Sequence, residues 1–335
     1  MPEMEQIKAP LLMSVAVSCI LLALCCGHFP ITPQDLGQLL VRCITGQHND
    51  TLAVVDQVFW HLRLPRILAA IVIGAGLSAA GAAYQGMFRN PLVSPDILGV
   101  SAGAGLGAVL GIFLGQSMLV IQLLAFVTGL MMVTLVCGVA KLSRRGDPVL
   151  SLVLVGLALS ALCGAGISLF KLLADPYSQL PSITFWLMGG LSGISLHDVV
   201  ITLPALLIGL LPLMLMRWRM NLLSLPDDEA KTLGLDVART RLLFIACATL
   251  LTAAAVSLAG IIGWLGLVVP HIARLLVGPD FRRLLPCTML TGASLLLLTD
   301  TLARSMTTIE IPLGILTSCL GAPFFVLLLI RGERN

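Results

Sequence analysis

Ten apolar runs recur along the chain, roughly at 11–29, 67–88, 97–115, 118–140, 149–173, 199–216, 242–262, 263–278, 284–303 and 311–330. Most approach the roughly 20 residues that a bilayer-spanning helix needs. They are rich in Leu, Ala and Gly and do not alternate with polar residues, so they fit helices and exclude a β-barrel. Only 11% of the residues are charged and 58% are hydrophobic. An ordinary soluble domain carries about 25% charged residues. Too few polar groups remain to cover a water-facing surface, which excludes a soluble enzyme, a disordered chain and a nucleic-acid-binding domain. The expected fold is an all-α polytopic membrane protein with ten transmembrane helices, forming one transmembrane domain over 1–335.

Lys and Arg placement orients the chain. With the N-terminus inside and strict alternation, fourteen basic residues fall inside and five outside, namely Arg42, Arg63, Arg66, Lys171 and Arg304, with Arg274 undecided. Both termini are then cytoplasmic. The first apolar run has a weakly charged flank, and Leu24 before Cys25 is too bulky for a lipoprotein cleavage site, so the run is read as a retained helix. The piece 180–193 is too short to span and is expected near one membrane surface. The run 263–278 contains Pro270, His271 and Arg274 and reads as a broken helix, with His271 satisfying carbonyls that Pro270 frees.

Small residues crowd the second run (Gly74, Gly76, Gly81, Gly86) and the third (Gly99, Gly103, Gly107, Gly111). In lipid, small residues let helix backbones approach closely, so both helices are expected in the middle of a tight bundle. Runs two to five and seven to ten form groups of four that one intervening helix would invert, the geometry of an inverted repeat. The nine cysteines show no CxxC pair and read as small buried hydrophobes.

Chemistry is as notable for what the sequence lacks. None of the four lysines follows Gly, so no Walker A loop exists, and neither HExxH nor GxSxG occurs. No catalytic, cofactor or metal site is expected. Asp300 lies four residues before Arg304, a spacing that favours a local ion pair. With so little buried charge and no nucleotide site, the chain is either an ion-coupled secondary transporter or a pathway driven by a separate subunit; a membrane enzyme or structural subunit has no catalytic cluster to support it.

Three stretches bear on that choice. Leu62 to Gly107 begins with Arg63 and Arg66 around Pro65, set on an outer rim either as solvated interface charge or as a dock for an acidic partner. Asn90-Pro91 follows as a turn, and Ser94-Pro95-Asp96 is expected to cap the next helix. The second stretch, 217–241, is polar. There Ser224 or Pro226 starts a short helix with Asp227, Asp228 and Glu229 in its first turn, Gly234 ends it, and Leu233 and Leu235 follow as a knob for a cytoplasmic partner. The third runs from 254 to 331.

Together these stretches resemble the FecCD-like family of ABC importer membrane subunits, the permeases for iron–siderophores, haem and vitamin B12. The matching residues are RLPR at 63–66, RNPLVSPDILGVSAGAG at 89–105, FWLMGG at 185–190, EAKTLGLDVARTR at 229–241, GLVVPHIAR at 266–274 and IPLGILTSCLGAP at 311–323. The resemblance implies the type II ABC importer permease fold, a dimer of permease subunits around a substrate pathway, two cytoplasmic ATPases holding ATP and Mg, and a periplasmic or lipid-anchored substrate-binding protein. It implies a bacterial inner-membrane location. By the same resemblance, a coupling segment at about 222–240 contacts the ATPase through Pro226, Asp227, Asp228, Glu229, Ala230, Lys231, Thr232, Leu233 and Gly234. Arg63, Arg66 and Arg304 dock the binding protein. Residues 147–151 form a cytoplasmic gate in which Val149 and Leu150 close by hydrophobic contact. The expected cargo is a ferric siderophore or haem, with cobalamin or molybdate as alternatives on the same scaffold.

Overall fold

Local capping chemistry sets many of the helix boundaries. In the computed structural model, which describes residues 2–27, 29–45, 53–142 and 148–332, all regular structure among those residues is helical. Fifteen α-helices follow in order: α1 (Pro2–Cys25), α2 (Pro33–Thr45), α3 (Ala53–Gln57), α4 (Leu64–Met87), α5 (Val100–Phe113), α6 (Met118–Leu142), α7 (Pro148–Leu173), α8 (Gln179–Met188), α9 (Leu196–Leu215), α10 (Arg217–Leu223), α11 (Asp227–Thr232), α12 (Val237–Ala259), α13 (Leu265–Val277), α14 (Phe281–Ala303) and α15 (Leu313–Gly332). Ser195 and Asp198 form a reciprocal capping box at the start of α9. Asp236 accepts from the Arg239 amide at the start of α12, and Asp280 accepts from the Arg282 amide at the start of α14.

Among the described residues, six helices are long and apolar enough to cross a membrane: Val54–Met87, Met118–Leu142, Val149–Leu173, Leu196–Leu215, Val237–Ala259 and Phe281–Ala303. The other four apolar runs are helical but shorter, at Pro10–Cys25, Val100–Phe113, Leu265–Val277 and Leu313–Leu327. Each of the ten runs thus holds a helix, and among the described residues six combine the length and hydropathy of a span.

Pro65 lies in the first turn of α4, where Arg63 makes no side-chain cap. The chain is already helical from Ala53, and a π-turn at Val58–Arg63 leads into α4, with the Leu64 amide bonding the Phe59 carbonyl. Ser94 makes no side-chain cap either. It precedes a 3-10 turn at Pro95–Leu98, and Asp96 instead accepts from the Ser101 hydroxyl. The Asn90-Pro91 turn is as expected, closed by the Leu92 amide on Asn90 Oδ1 at 2.9 Å.

The bundle is built around α4, α12 and α14. In α4 and α12, 78% of the apolar window is buried within the chain; in α7 only 6% is. The glycine-rich runs explain the close contacts. The glycines of α4 seat it closely on α14 and α13: a Cβ on Gly74 would lie 2.5 Å from the Gly292 carbonyl oxygen, and one on Gly81 would overlap the Gly266 carbonyl. The glycines of α5 face α6: a Cβ on Gly107 would lie 2.6 Å from the Leu124 oxygen, and one on Gly103 2.9 Å from the Thr128 oxygen. The two glycine-rich helices therefore serve two different seams.

Pro270 lies inside α13 and cannot donate to the carbonyl of Gly266 four residues back. Gln85 of α4 fills that role, its Nε2 donating to the carbonyls of Gly266 at 3.4 Å and Leu267 at 3.1 Å. The role expected of His271 thus falls to a residue 181 positions away from Gly266. The 180–193 piece holds α8, whose C-terminal strand of glycines is pinned by backbone bonds: Gly190 N donates to Ala259 O at 2.8 Å, and Leu313 N donates to Gly189 O at 2.9 Å.

Candidate functional sites at the two ends of the bundle

Three predicted arginines meet at the end of the bundle where α1 and α14 stop and α4 starts. Arg66 Nε is 2.7 Å from Asp300 Oδ1, and its Nη1 is 2.7 Å from Glu310 Oε1. Arg304 Nε lies 3.5 Å from Asp300 Oδ2, so the expected local pair exists, but the shorter bond of Asp300 is to Arg66. Asp300 is wholly buried, and a buried carboxylate is tolerated when it is paired.

Arg63 and Arg304 also close the end of α1. Arg304 Nη2 donates to the Ala23 carbonyl at 2.5 Å. Arg63 donates to the carbonyls of Leu24 and of Phe29. The last carbonyls of a helix have no partners within it and carry its negative dipole end, so guanidiniums are favourable there. Gly27 lets the chain pass this close: a Cβ there would sit 3.0 Å from both Arg304 Nη1 and Arg63 Nη2.

The expected exposed rim is therefore corrected. Arg63 is 3% exposed and Arg304 6%, and the three guanidiniums are engaged within the chain. Glu310 had no local signal, because its partner is 244 residues away in sequence. Two cavities open beside this cluster. One, of about 620 Å³, is bordered by Arg66, Glu310, Asp198, Trp186, Phe185 and Gln122. The other, of about 320 Å³, is bordered by Arg63, Arg66, Arg304, His61 and Glu310.

The opposite end carries the acidic helix. Residues Asp227–Thr232 form α11 after Pro226, and Gly234 follows with φ +81°, as the spacing predicts. A separate helix, α10, precedes it. Ala230, Met220 and Leu223 are each 1% exposed and seat this hairpin on the bundle. Leu233 is 61% exposed, whereas Leu235 is buried at 7%, so the expected apolar knob consists of Leu233 alone. Asp228, Glu229, Lys231 and Thr232 face solvent beside it.

Asp227 is the joint of this segment. Arg241 of α12 grips it with two bonds, Nη2 to Oδ1 at 2.9 Å and Nη1 to Oδ2 at 3.3 Å. Arg89 approaches the same Oδ1 at 3.4 Å and donates to the Leu225 carbonyl at 3.1 Å. The hydrogen bonds from Arg241 are the main cause that holds the Asp227 carboxyl below its usual range, with the charges of Arg241 and Arg89 adding to them. Arg89 sits in the left-handed backbone region at φ +51°, which costs a non-glycine residue about 1 kcal/mol. Asn221 ties α10 to the start of α14, donating to Asp280 Oδ1 at 2.7 Å and accepting from the Phe281 amide at 2.9 Å.

Val149 and Leu150, the residues expected at a gate, lie in the first turn of α7. Val149 packs partly against the main core cluster and Leu150 is 55% exposed. Residue 147 of the matching loop lies outside the described residues. Among the described residues no group of three or more His, Cys, Asp or Glu side chains could hold a metal.

A family model described as the FecCD transport family matches residues 15–331. The molybdate import system permease protein MolB of Haemophilus influenzae is 40% identical over 310 residues, covering 92% of this chain and 91% of that one. A probable iron chelatin transport system permease protein of Helicobacter pylori is 39% identical over 321 residues, covering 95% and 97%. Among solved structures, an inward-facing conformation of a metal-chelate type ABC transporter superposes with a TM-score of 0.86 at 37% identity, covering 97% of this chain and 99% of that one.

Proposed function

The chain belongs to the FecCD transport family and is an ABC transporter permease, and on that premise we propose that it is the membrane subunit of an ATP-driven importer for an iron chelate, ferric siderophore or haem. Ten helices cross the bacterial inner membrane in this reading, with both termini cytoplasmic; the four shorter apolar helices complete the set. The chain holds no cofactor of its own. Two ATPase subunits binding ATP and Mg dock at the α11 end, and a periplasmic or lipid-anchored substrate-binding protein docks at the arginine end.

The observation that carries this reading is α11: a short acidic helix seated by Ala230, gripped at Asp227, and presenting an exposed Leu233. A helix of six residues has no stability alone, so its position is set by the bundle, and an exposed apolar side chain beside a fixed helix suits a groove on a partner. Residues 226–234 are the coupling contact. The second subunit is another copy of this chain. The exposed small residues Ala158, Ala161, Ala165 and Ser168 along α7 support a close helix contact or pathway lining there, with Val149 and Leu150 as the gate at its cytoplasmic end.

Docking assigns Arg63, Arg66 and Arg304 to carboxylates of the binding protein. Because these guanidiniums are engaged in this conformation, the partner's carboxylates exchange with Glu310 and with the α1 carbonyls as they arrive. ATP binding shifts the permease between two packings of similar energy.

The contact is tested by co-purification. Leu233→Asp is expected to strip the ATPase from the complex while the permease keeps its thermal unfolding profile. Full ATPase retention in that variant contradicts the assignment of α11. Cargo is read from the ligand retained by the cognate binding protein. Molybdate there would favour the second reading, which rests on the 40% identity to the Haemophilus influenzae protein, and cobalamin the third.

A further inference from the structure

We propose that Arg89 and Arg241 are positioning residues for energy coupling: by gripping Asp227 from two sides they join α11 to the ends of α4 and α12, so that one displacement of α11 moves both helices. The inference rests on the reading of α11 as the ATPase contact.

Three observations carry it. The first is the contrast among the ion pairs of this segment. Lys231–Asp228 and Arg239–Asp236 link residues three apart, and their side chains are 52–98% exposed. Such pairs are solvated and hold little. The Asp227 pairs instead bridge distinct elements, 14 residues apart to Arg241 and across the fold to Arg89. The Arg241 side chain is 13% exposed, and its two-pronged geometry fixes direction as well as distance.

The second is the backbone of Arg89. It follows the end of α4 in a left-handed conformation that a residue with a side chain rarely adopts. That conformation places its guanidinium on both the Leu225 carbonyl, just before Pro226, and the Asp227 carboxylate. A strained residue held by two contacts to the same short segment points to a joint whose position is fixed for a purpose.

The third is where the two gripped helices lead. They are the two most buried long helices of the bundle. At the far end of α4 lies Arg66, some 23 residues and roughly 35 Å along a helical path from Arg89, bonded to Asp300 and Glu310. At the far end of α12 the Ala259 carbonyl bonds Gly190, beside the larger cavity. Rigid elements with contacts at both ends transmit a displacement; a loop does not. Without the two arginines, α11 would retain its buried Ala230 contact but lose its charged hold on both helices.

The test uses the full complex with its ATPase and binding protein in proteoliposomes. Arg89→Gln, Arg241→Gln and the double variant are compared with the parent chain for ATPase stoichiometry, ATP turnover and cargo taken up per ATP. Stoichiometry and turnover are expected to stay within about twofold, while uptake per ATP falls about fivefold or more in the double variant, the scale of an ordinary coupling energy. The swapped pair Asp227→Arg with Arg241→Asp, which rebuilds the bridge in reverse, should exceed Asp227→Arg alone in uptake per ATP. Should Arg241→Gln unfold the chain, Arg89→Gln carries the comparison, because that side chain is 37% exposed. Parent-like uptake per ATP in the folded variants, or a swap no better than the single change, overturns the proposal. The premise fails separately: ATPase retained in Leu233→Asp removes α11 as the contact whatever the arginine variants do.

Discussion

At the scale of single residues, charge burial dominates. Asp300 lies wholly buried against Arg66, so removing the arginine leaves the carboxylate with only its longer contact to Arg304. Arg66→Leu is expected to cost about 3–5 kcal/mol, and Arg66→Leu with Asp300→Leu to recover a large part of it. Thermal unfolding in detergent measures both, and equal losses in the single and double variants contradict the pairing. Asp227 gives a pH dependence of definite sign. Its carboxyl is held below the usual value in the folded chain, so its contribution is complete above that usual value, about 4. The contribution is lost as pH falls through the depressed value. The stability gap between the parent chain and Asp227→Asn should therefore be present at about pH 6 and shrink as the pH falls below the usual carboxylate value; a gap independent of pH refutes the ionic role. The legibility of such residues follows sequence distance. Asp300 with Arg304 shows as an i, i+4 spacing, and Asp227 in the first turn of α11 follows from Pro226. The Arg66 pairs with Asp300 and Glu310 span 234 and 244 residues, and no local pattern marks them. For the same reason the burial of Arg63 and Arg304 escapes a reading that places them on a rim.

At the scale of helices, apolar runs and caps are what one sequence displays best. Each of the ten runs holds a helix because a bilayer demands internal backbone bonding over a fixed length. Gly234 and Pro226 bound α11 through local backbone preferences. The π-turn before α4 and the separate α10 were not legible, because helix register and breaks in a polar stretch depend on packing. Glycine content announces close approach but not the partner, hence α4 meets α14 while α5 meets α6. This gives two packing predictions. Gly74→Val should cost about 1–3 kcal/mol by overpacking the seam with Gly292, whereas Gly138→Ala, with open space around its Cα, should be near neutral. Unfolding midpoints that rank the two alike speak against the seam. Gln85→Leu leaves the carbonyls of Gly266 and Leu267 without their donor and should cost about 1–3 kcal/mol, read by hydrogen exchange as loosened amides in α13. Unchanged exchange there would contradict that role of Gln85.

At the scale of the molecule, two charged ends are joined by a central trio of helices, and α7 is the least buried of the long helices. The sequence lacks a Walker A loop, and the proposed function makes the chain a pathway that moves when an ATP-hydrolysing partner moves it. The most direct test is uptake into proteoliposomes holding the permease, its ATPase and ATP inside, with loaded binding protein outside. Uptake should require the ATPase, stop with vanadate, and persist when ionophores collapse every ion gradient. Concentrative uptake by the permease alone, driven by an ion gradient and abolished by ionophore, would contradict the account at its centre.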